Sequence, residues 1–300
     1  MSGCLCVTSI PLSSDEIYRP AGELLANLSS YEFSKDRIKH YFCSTCGTHM
    51  LAHVIPRAPK ESQGRWYAMC GTLEVAESIY WPRHEYVEDT LDSGCASFLP
   101  SMNGRSIERW AQHPNKYQQL QLHWVMHDRL EIKPLPCAKL HAYCKCGGVD
   151  FWIRRPANRT KYLAKLCACD SCRLANGMEM LASATACVDT RQISLDEAGK
   201  TPFPVGLEFA TLKTRCSSPD VVRGFCATCG ASVFNHVKGE DTVDVAVGLL
   251  DVHEGARAES WLDWKSIDLK FQEDGLRRAK ELTLAVVRGL DAFQRWQMGL

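Results

Sequence analysis

The residues best suited to chemistry in this chain are cysteines, and most of them come in tight groups. Cys144 and Cys146 form a Cys-x-Cys pair, and Cys226 and Cys229 form a Cys-x-x-Cys pair. Cys167, Cys169 and Cys172 form a third group, and Cys43 and Cys46 a fourth. Such spacings are too tight for a disulfide within each pair and have the form of metal knuckles. Zinc takes four tetrahedral ligands in closed structural sites, commonly two cysteine knuckles. Cys144, Cys146, Cys226 and Cys229 supply four thiolates from two distant points, so a structural zinc is expected there. The glycine after each knuckle, Gly147 or Gly230, suits the turn that brings backbone amides near sulfur.

Cys167, Cys169 and Cys172 lack an evident fourth ligand. Three protein ligands and one open position is the pattern of a catalytic zinc. A thiolate substrate is the natural occupant of such a soft site, and the metal keeps that thiol ionised at neutral pH. Arg173 follows directly and has two readings: contact with a thiol substrate, or compensation of the negative charge on the sulfurs. A second structural zinc, completed by Cys187, Cys216 or His236, is the competing reading of the whole group. Among possible general bases, His236 leads because it follows the second knuckle closely, though a structural histidine is the plainer reading. Asp170 and Asp244 are candidates to orient ligands. Cys70, Cys95, Cys137, Cys187 and Cys216 stand alone and read as small buried hydrophobes.

Composition narrows the function classes. Thirty-five basic residues balance 35 acidic ones, which gives no electrostatic case for nucleic acid or an anionic membrane. No apolar run is long enough to span a bilayer, and the N-terminus has no secretory pattern, so a cytoplasmic location is expected. Clustered cysteines in a reducing compartment point to metal rather than disulfides.

The elements that position these groups read mainly as β-strand. Gly148–Ile153 and Thr242–Leu250 are β-branched or aromatic and partly alternating. Asn103-Gly104 and Asn176-Gly177 are turn signals. The last segment differs. Leu276, Ala279, Leu282, Val286, Leu290, Phe293 and Trp296 recur at intervals of three and four, which predicts one amphipathic helix over 274–297 packed on the second domain.

The chain also repeats itself. Phe42-Cys43-Ser44-Thr45-Cys46-Gly47 returns as Phe225-Cys226-Ala227-Thr228-Cys229-Gly230. A glycine-led apolar stretch precedes each copy and a similar strand follows, Trp66–Glu74 in one and Val243–Asp251 in the other. This predicts two related domains in tandem, 1–133 and 138–300, joined near Pro134-Leu135-Pro136.

Cys144 to Phe151, Cys167 to Arg173 and Phe225 to Gly230 together resemble the glutathione-dependent formaldehyde-activating enzyme family, which includes the centromere protein V type. Lys165–Arg173, Gly255–Trp261 and the first-half stretch His84–Gly94 are similar to its tandem fungal members. The resemblance implies β-sheets around a structural zinc on Cys144, Cys146, Cys226 and Cys229. It implies a second zinc on Cys167, Cys169 and Cys172 beside glutathione. The implied reaction is addition of a thiol to an aldehyde, or its reverse, classed as carbon–sulfur lyase activity. The first domain departs from this pattern, having no Cys-x-Cys-x-x-Cys-Arg loop. Either Cys4 and Cys6 complete a zinc site with Cys43 and Cys46, or the sequence takes up the fold after the catalytic loop. The second is preferred, and it predicts weak or absent metal at Cys43 and Cys46 and a degenerate first domain. Two function classes result: a zinc-dependent lyase acting on glutathione or a thiol adduct of an aldehyde, and a non-catalytic zinc scaffold that binds a partner protein. A nucleic-acid reader is disfavoured, since no basic cluster accompanies the knuckles.

Overall fold

The computed structural model describes residues 8–12, 20–55, 64–74, 83–114, 117–126, 138–264 and 268–300. Cys4, Cys6, Cys137 and the proline pair at 134–136 lie outside them.

The chain is mainly β, as the alternating segments predict. In the second half, strands β10 (Lys139–Tyr143), β11 (Asp150–Arg154) and β14 (Ile193–Ser194) make a three-stranded sheet. A larger sheet has the order β15-β16-β17-β18-β13-β12-β19. Its members are β12 (Tyr162–Cys167), β13 (Ala184–Asp189), β15 (Leu212–Ser218), β16 (Val221–Cys226), β17 (Ser232–Val237), β18 (Thr242–Ala246) and β19 (Leu262–Asp263). The two-residue strand β20 (Leu269–Lys270) also pairs with β12. In β18 the valines point into the core while Thr242 and Asp244 face the other way, the period of two that a half-buried strand demands.

The first half carries a five-stranded sheet of order β1-β5-β4-β3-β2, from β1 (Ser9–Pro11), β2 (Leu28–Ser34), β3 (Ile38–Cys43), β4 (His49–Val54) and β5 (Arg65–Met69). That order reproduces β13-β18-β17-β16-β15. The likeness extends to detail. The Cys70 amide bonds to the Thr8 carbonyl at 2.9 Å, and the Val247 amide to the Ala184 carbonyl at 3.0 Å. Each sheet breaks register just ahead of its knuckle, at Tyr41/Phe42 and at Gly224/Phe225, and again one strand earlier, at Glu32/Ser34 and at Cys216/Ser218. Beyond this sheet, β6 (Arg83–His84) pairs with β9 (Glu108–Arg109), and β7 (Ser101–Met102) with β8 (Arg105–Ser106) across the Asn103-Gly104 turn.

The two halves share one interior. Cys95, Phe98, Leu99 and Ile107 of the first half belong to the same apolar cluster as Phe151, Leu166 and Trp264 of the second. The knuckles meet face to face. A Cβ on Gly47 would lie 2.5 Å from the Phe225 ring, and one on Gly230 would lie 2.6 Å from the Phe42 ring. Each knuckle glycine is therefore pressed against the phenylalanine of the opposite copy, where no larger residue fits. A second lock joins the two tails. Arg257, 2% exposed, takes Asp92 Oδ2 on its backbone amide at 2.8 Å, and its guanidinium donates to the carbonyls of Asp92 and Gly94.

The C-terminal helix is two helices, not one: Gln272–Arg278 and Lys280–Gln297, broken at Ala279, where φ is −144° and ψ 63°. The break has a physical cause. Gly275 packs against Thr283 with no room for a side chain, and Arg278 is held by a buried two-point pair with Glu179 at 2.6 and 3.0 Å. Of the predicted stripe, Leu282, Val286, Leu290 and Phe293 are buried, while Leu276 and Trp296 at its ends are exposed. The longer helix packs on first-half residues as well as the second half, because Gly289 sits against the Phe98 carbonyl. No helix among the described residues is long and apolar enough to cross a membrane. Of the lone cysteines, Cys70 and Cys95 are buried, whereas Cys187 is half-buried and Cys216 exposed.

His49 lies wholly inside this interface. One ring nitrogen bonds the Gly230 carbonyl at 2.9 Å, and the other has no partner. Burial lowers its pKa from 6.5 to about 4, so it stays neutral in the fold. A lowered histidine pKa stabilises the fold above the unfolded value, and this contribution is lost as pH falls through the folded one. Urea unfolding should show stability falling between pH 6.5 and 4, and His49→Gln should flatten that limb by about 3 kcal/mol. An unchanged acid limb in the variant would place the titration elsewhere.

Candidate metal centres and the cleft between the halves

Cys144 directly follows strand β10, and β16 ends in Cys226, so the fold brings the two knuckles together. Cys144 Sγ lies 3.4 Å from Cys146 Sγ, which lies 3.5 Å from Cys226 Sγ. All four sulfurs, Cys229 included, fall within 4.8 Å of one another. A tetrahedral zinc with Zn–S bonds of about 2.3 Å needs sulfurs about 3.8 Å apart, which this arrangement fits. Backbone amides support it: Val149 N–H donates to Cys144 and Gly148 N–H to Cys146, each at 3.3 Å. The Thr211 hydroxyl lies 3.1 Å from Cys226 Sγ. The thiols divide their protons unequally. Hydrogen bonds from Cys144 and Cys229 pull Cys226 far below the ordinary thiol range, while bonds with Cys144 and Cys226 push Cys229 far above it. A divalent cation satisfies all four sulfurs at once.

The second group sits where β12 ends and a short helix, Asp170–Asn176, begins. Cys167 is the last strand residue, and Cys169 caps the helix by accepting the Cys172 amide at 3.3 Å. Cys169 is drawn far down by hydrogen bonds from Cys167 and Cys172, and Cys167 is pushed up by the same contacts. The three sulfurs lie within 4.8 Å of one another, and no fourth cysteine, histidine or carboxylate joins them among the described residues. The competing closures are otherwise engaged. Cys187 contacts Lys165, Cys216 is exposed on β15, and His236 Nδ1 bonds the Thr242 carbonyl at 3.0 Å.

A cleft partly open to solvent reaches this three-sulfur group at Cys172, which lines it together with Arg223, Asn235 and Asp244. Strand register explains its floor. Arg223 pairs with Asn235, and Asn235 with Asp244, so three polar side chains line up on one face. His236, the neighbour of Asn235, falls on the opposite face by the alternation of a strand. Both terminal nitrogens of Arg223 lie 3.6 Å from Cys172 Sγ, while its Nε donates to Ser217 at 2.9 Å. Asp244 is held by Lys165 at 2.7 Å.

Arg173 is placed differently from either sequence reading. Its guanidinium donates to the carbonyls of Gly71 and Leu73 in the first half and pairs with Asp170. It ties the sulfur-bearing helix to the other half, and Arg223, from a distant strand, faces the sulfur instead. Asp170 is taken up by this charge network, with Arg278 3.6 Å away. Cys43 and Cys46 belong to no group of three metal donors among the described residues. Cys46 lines the cleft opposite Cys172.

Residues 139–264 match the family model of the glutathione-dependent formaldehyde-activating enzyme. That span carries a formaldehyde-activating-enzyme domain. It begins at β10, closes after β19, and contains all seven cysteines of the two sulfur groups. No curated protein is similar enough to the chain to count as a relative.

Sequence reasoning passed over Arg223, Asn235 and the place of Cys46 in the lining of the cleft. For Arg223 and Asn235 a signal existed: alternation places Arg223 on the face opposite Val222, and Asn235 opposite His236. Nothing in the sequence says that Cys46 reaches across. The geometry leads to a metal count. The zinc-loaded protein should hold two ions per chain by elemental analysis. Cys172→Ser should remove one with little loss of stability, and Cys226→Ser should remove the other at a cost of several kcal/mol. Three ions would mean that Cys43 and Cys46 also bind metal.

Proposed function

We propose that the chain is a zinc-dependent carbon–sulfur lyase acting on glutathione or a thiol adduct of an aldehyde. The observation that carries this reading is the open three-sulfur group facing a cleft beside the Arg223 guanidinium. Cys167, Cys169 and Cys172 would hold the ion, and zinc when bound keeps a substrate thiol ionised at neutral pH. Cys144, Cys146, Cys226 and Cys229 would hold a structural zinc that staples β10 to β16.

The reaction needs modest chemistry. A thiol sulfur bonds to the aldehyde carbon, the carbonyl π bond breaks, and the thiol proton ends on the new hydroxyl. The reverse breaks the same carbon–sulfur bond. In the cleft, Arg223 offers positive charge close to the reacting sulfur. Asn235 and Asp244 lie side by side next to it, within the same wall, to orient the hydroxyl being formed. Holding thiol and aldehyde together supplies the orientation that the free reactants lack.

In this reading residues 1–133 are a degenerate second copy of the domain spanning 138–300. The supporting observations are the repeated strand order and the reciprocal packing of the two knuckles. The first copy contributes Cys46 to the lining of the cleft and no second three-sulfur group among the described residues. A cytoplasmic setting, where glutathione is abundant, suits this reading.

The test is glutathione binding by calorimetry together with exchange of labelled formaldehyde into its thiol adduct by NMR. The wild type should bind and exchange. Cys172→Ser should lose both along with one zinc. Arg223→Met should weaken thiol binding by about tenfold to a hundredfold, the usual value of a charge-assisted contact. Arg173→Met should leave binding intact and lower stability. A wild type that holds two zincs yet binds no thiol would sink the lyase reading in favour of a zinc scaffold for a partner protein.

A further inference from the structure

The first-half knuckle has kept both cysteines, although the described residues offer no second pair to complete a metal site with them. It has also kept its shape. The Gly47 amide closes the turn on the Cys43 carbonyl at 2.8 Å, as the Gly230 amide does on Cys226. Cys43 and Cys46 thus stand at the two ends of one closed turn. Both residues are half-exposed.

The position of Cys46 is the informative part. It lines the cleft that Cys172 and Arg223 also line. Its sulfur lies 3.0 Å from the Thr48 hydroxyl, which donates at 2.6 Å to the Leu174 carbonyl. Leu174 belongs to the helix that carries Cys172, two residues further on. The hydrogen-bond chain thus fixes Cys46 relative to the sulfur cluster across the cleft. The other lone thiols lack this setting: Cys70 and Cys95 are buried, and burial pushes the Cys70 thiol up to about 12.

The geometry points to Cys43 and Cys46 as a redox-active dithiol that exchanges with a glutathione-class disulfide bound in the cleft. The disulfide is the oxidant. Cys46 sulfur attacks one of its sulfurs, the substrate S–S bond breaks, and one thiol leaves with the proton that Cys46 gave up. Cys43 sulfur then attacks Cys46 sulfur, the mixed disulfide breaks, and a second thiol leaves with the Cys43 proton. One disulfide is reduced to two thiols, and one disulfide forms between Cys43 and Cys46. Exchange of this kind needs a thiolate with access to the incoming sulfur, and a neighbouring thiol to resolve the adduct. The inference rests on the reading of the cleft as a thiol site, for the identity of the disulfide alone.

The experiment uses the full-length, zinc-loaded protein. It is incubated with glutathione disulfide or with hydroxyethyl disulfide, then alkylated and mapped by mass spectrometry, with zinc measured in parallel. In the expected result the peptide bearing Cys43 and Cys46 loses two hydrogens about tenfold faster than exposed Cys216 is modified. Two thiols appear per chain and the zinc content stays constant. Cys43→Ser should trap a glutathionyl adduct on Cys46. If the dithiol is right and the glutathione reading wrong, both disulfides oxidise the pair equally well. If neither oxidises it, or if Cys43→Ser lowers the zinc content by one, the dithiol is overturned. The mapping on the wild type stands even where a variant fails to fold.

Discussion

Two Cys-x-x-Cys-Gly turns lie face to face where the halves meet, and each glycine is covered by the phenylalanine of the other turn. This contact sets the distance between the halves. A side chain on Gly47 or Gly230 would collide with a ring, so the halves meet at backbone range. Other close approaches then follow. The Gly71 amide donates to the Gly177 carbonyl at 2.9 Å, and Gly177 lies against the His49 carbonyl with no space for a Cβ. The cleft lies beside this contact, since Cys46 of one turn and Phe225 of the other both line it.

Charge is the second constraint. Seven thiols in two groups are buried or half-buried in one domain, and buried thiolates are costly unless a cation or donor meets them. The fold answers with amide donors at one group, a helix start and Arg223 at the other, and donor spacings suited to zinc at both. The arginines divide the remaining work by position. Arg257 and Arg278 are almost wholly buried and lock the tails and the C-terminal helices to the body of the protein. Arg173 ties the halves together. Arg223 alone among these four is free of carboxylate pairing within 4.0 Å among the described residues and faces a sulfur.

The match to the formaldehyde-activating-enzyme family covers the second half only, and the fold shows how the first half can depart from it. The first sheet keeps the strands that build the knuckle contact and keeps Cys46 at the cleft. The described residues of the first half hold no counterpart of the three-sulfur loop, so the interface is retained where that loop is not. The cost of such a partner is small, because the shared core makes both halves one packed body.

The sequence by itself determined the sulfur groups. Ligand spacing is local, so Cys144/Cys146, Cys167/Cys169/Cys172 and Cys226/Cys229 are legible in the primary structure, as are the β-alternation and the repeat. The amphipathic stripe of the C-terminal segment was legible too, but the break at Ala279 was not, because it depends on Glu179, which is remote in sequence. Only the tertiary structure decided which arginine meets the sulfurs. Arg173 is the sequence neighbour, yet a residue one step past Cys172 on a helix points to a different side, and there it finds the first half. Arg223 arrives from a strand 51 residues away. The facing of Cys46 toward the cleft is of the same kind. It follows from packing between two halves whose contact no local pattern encodes.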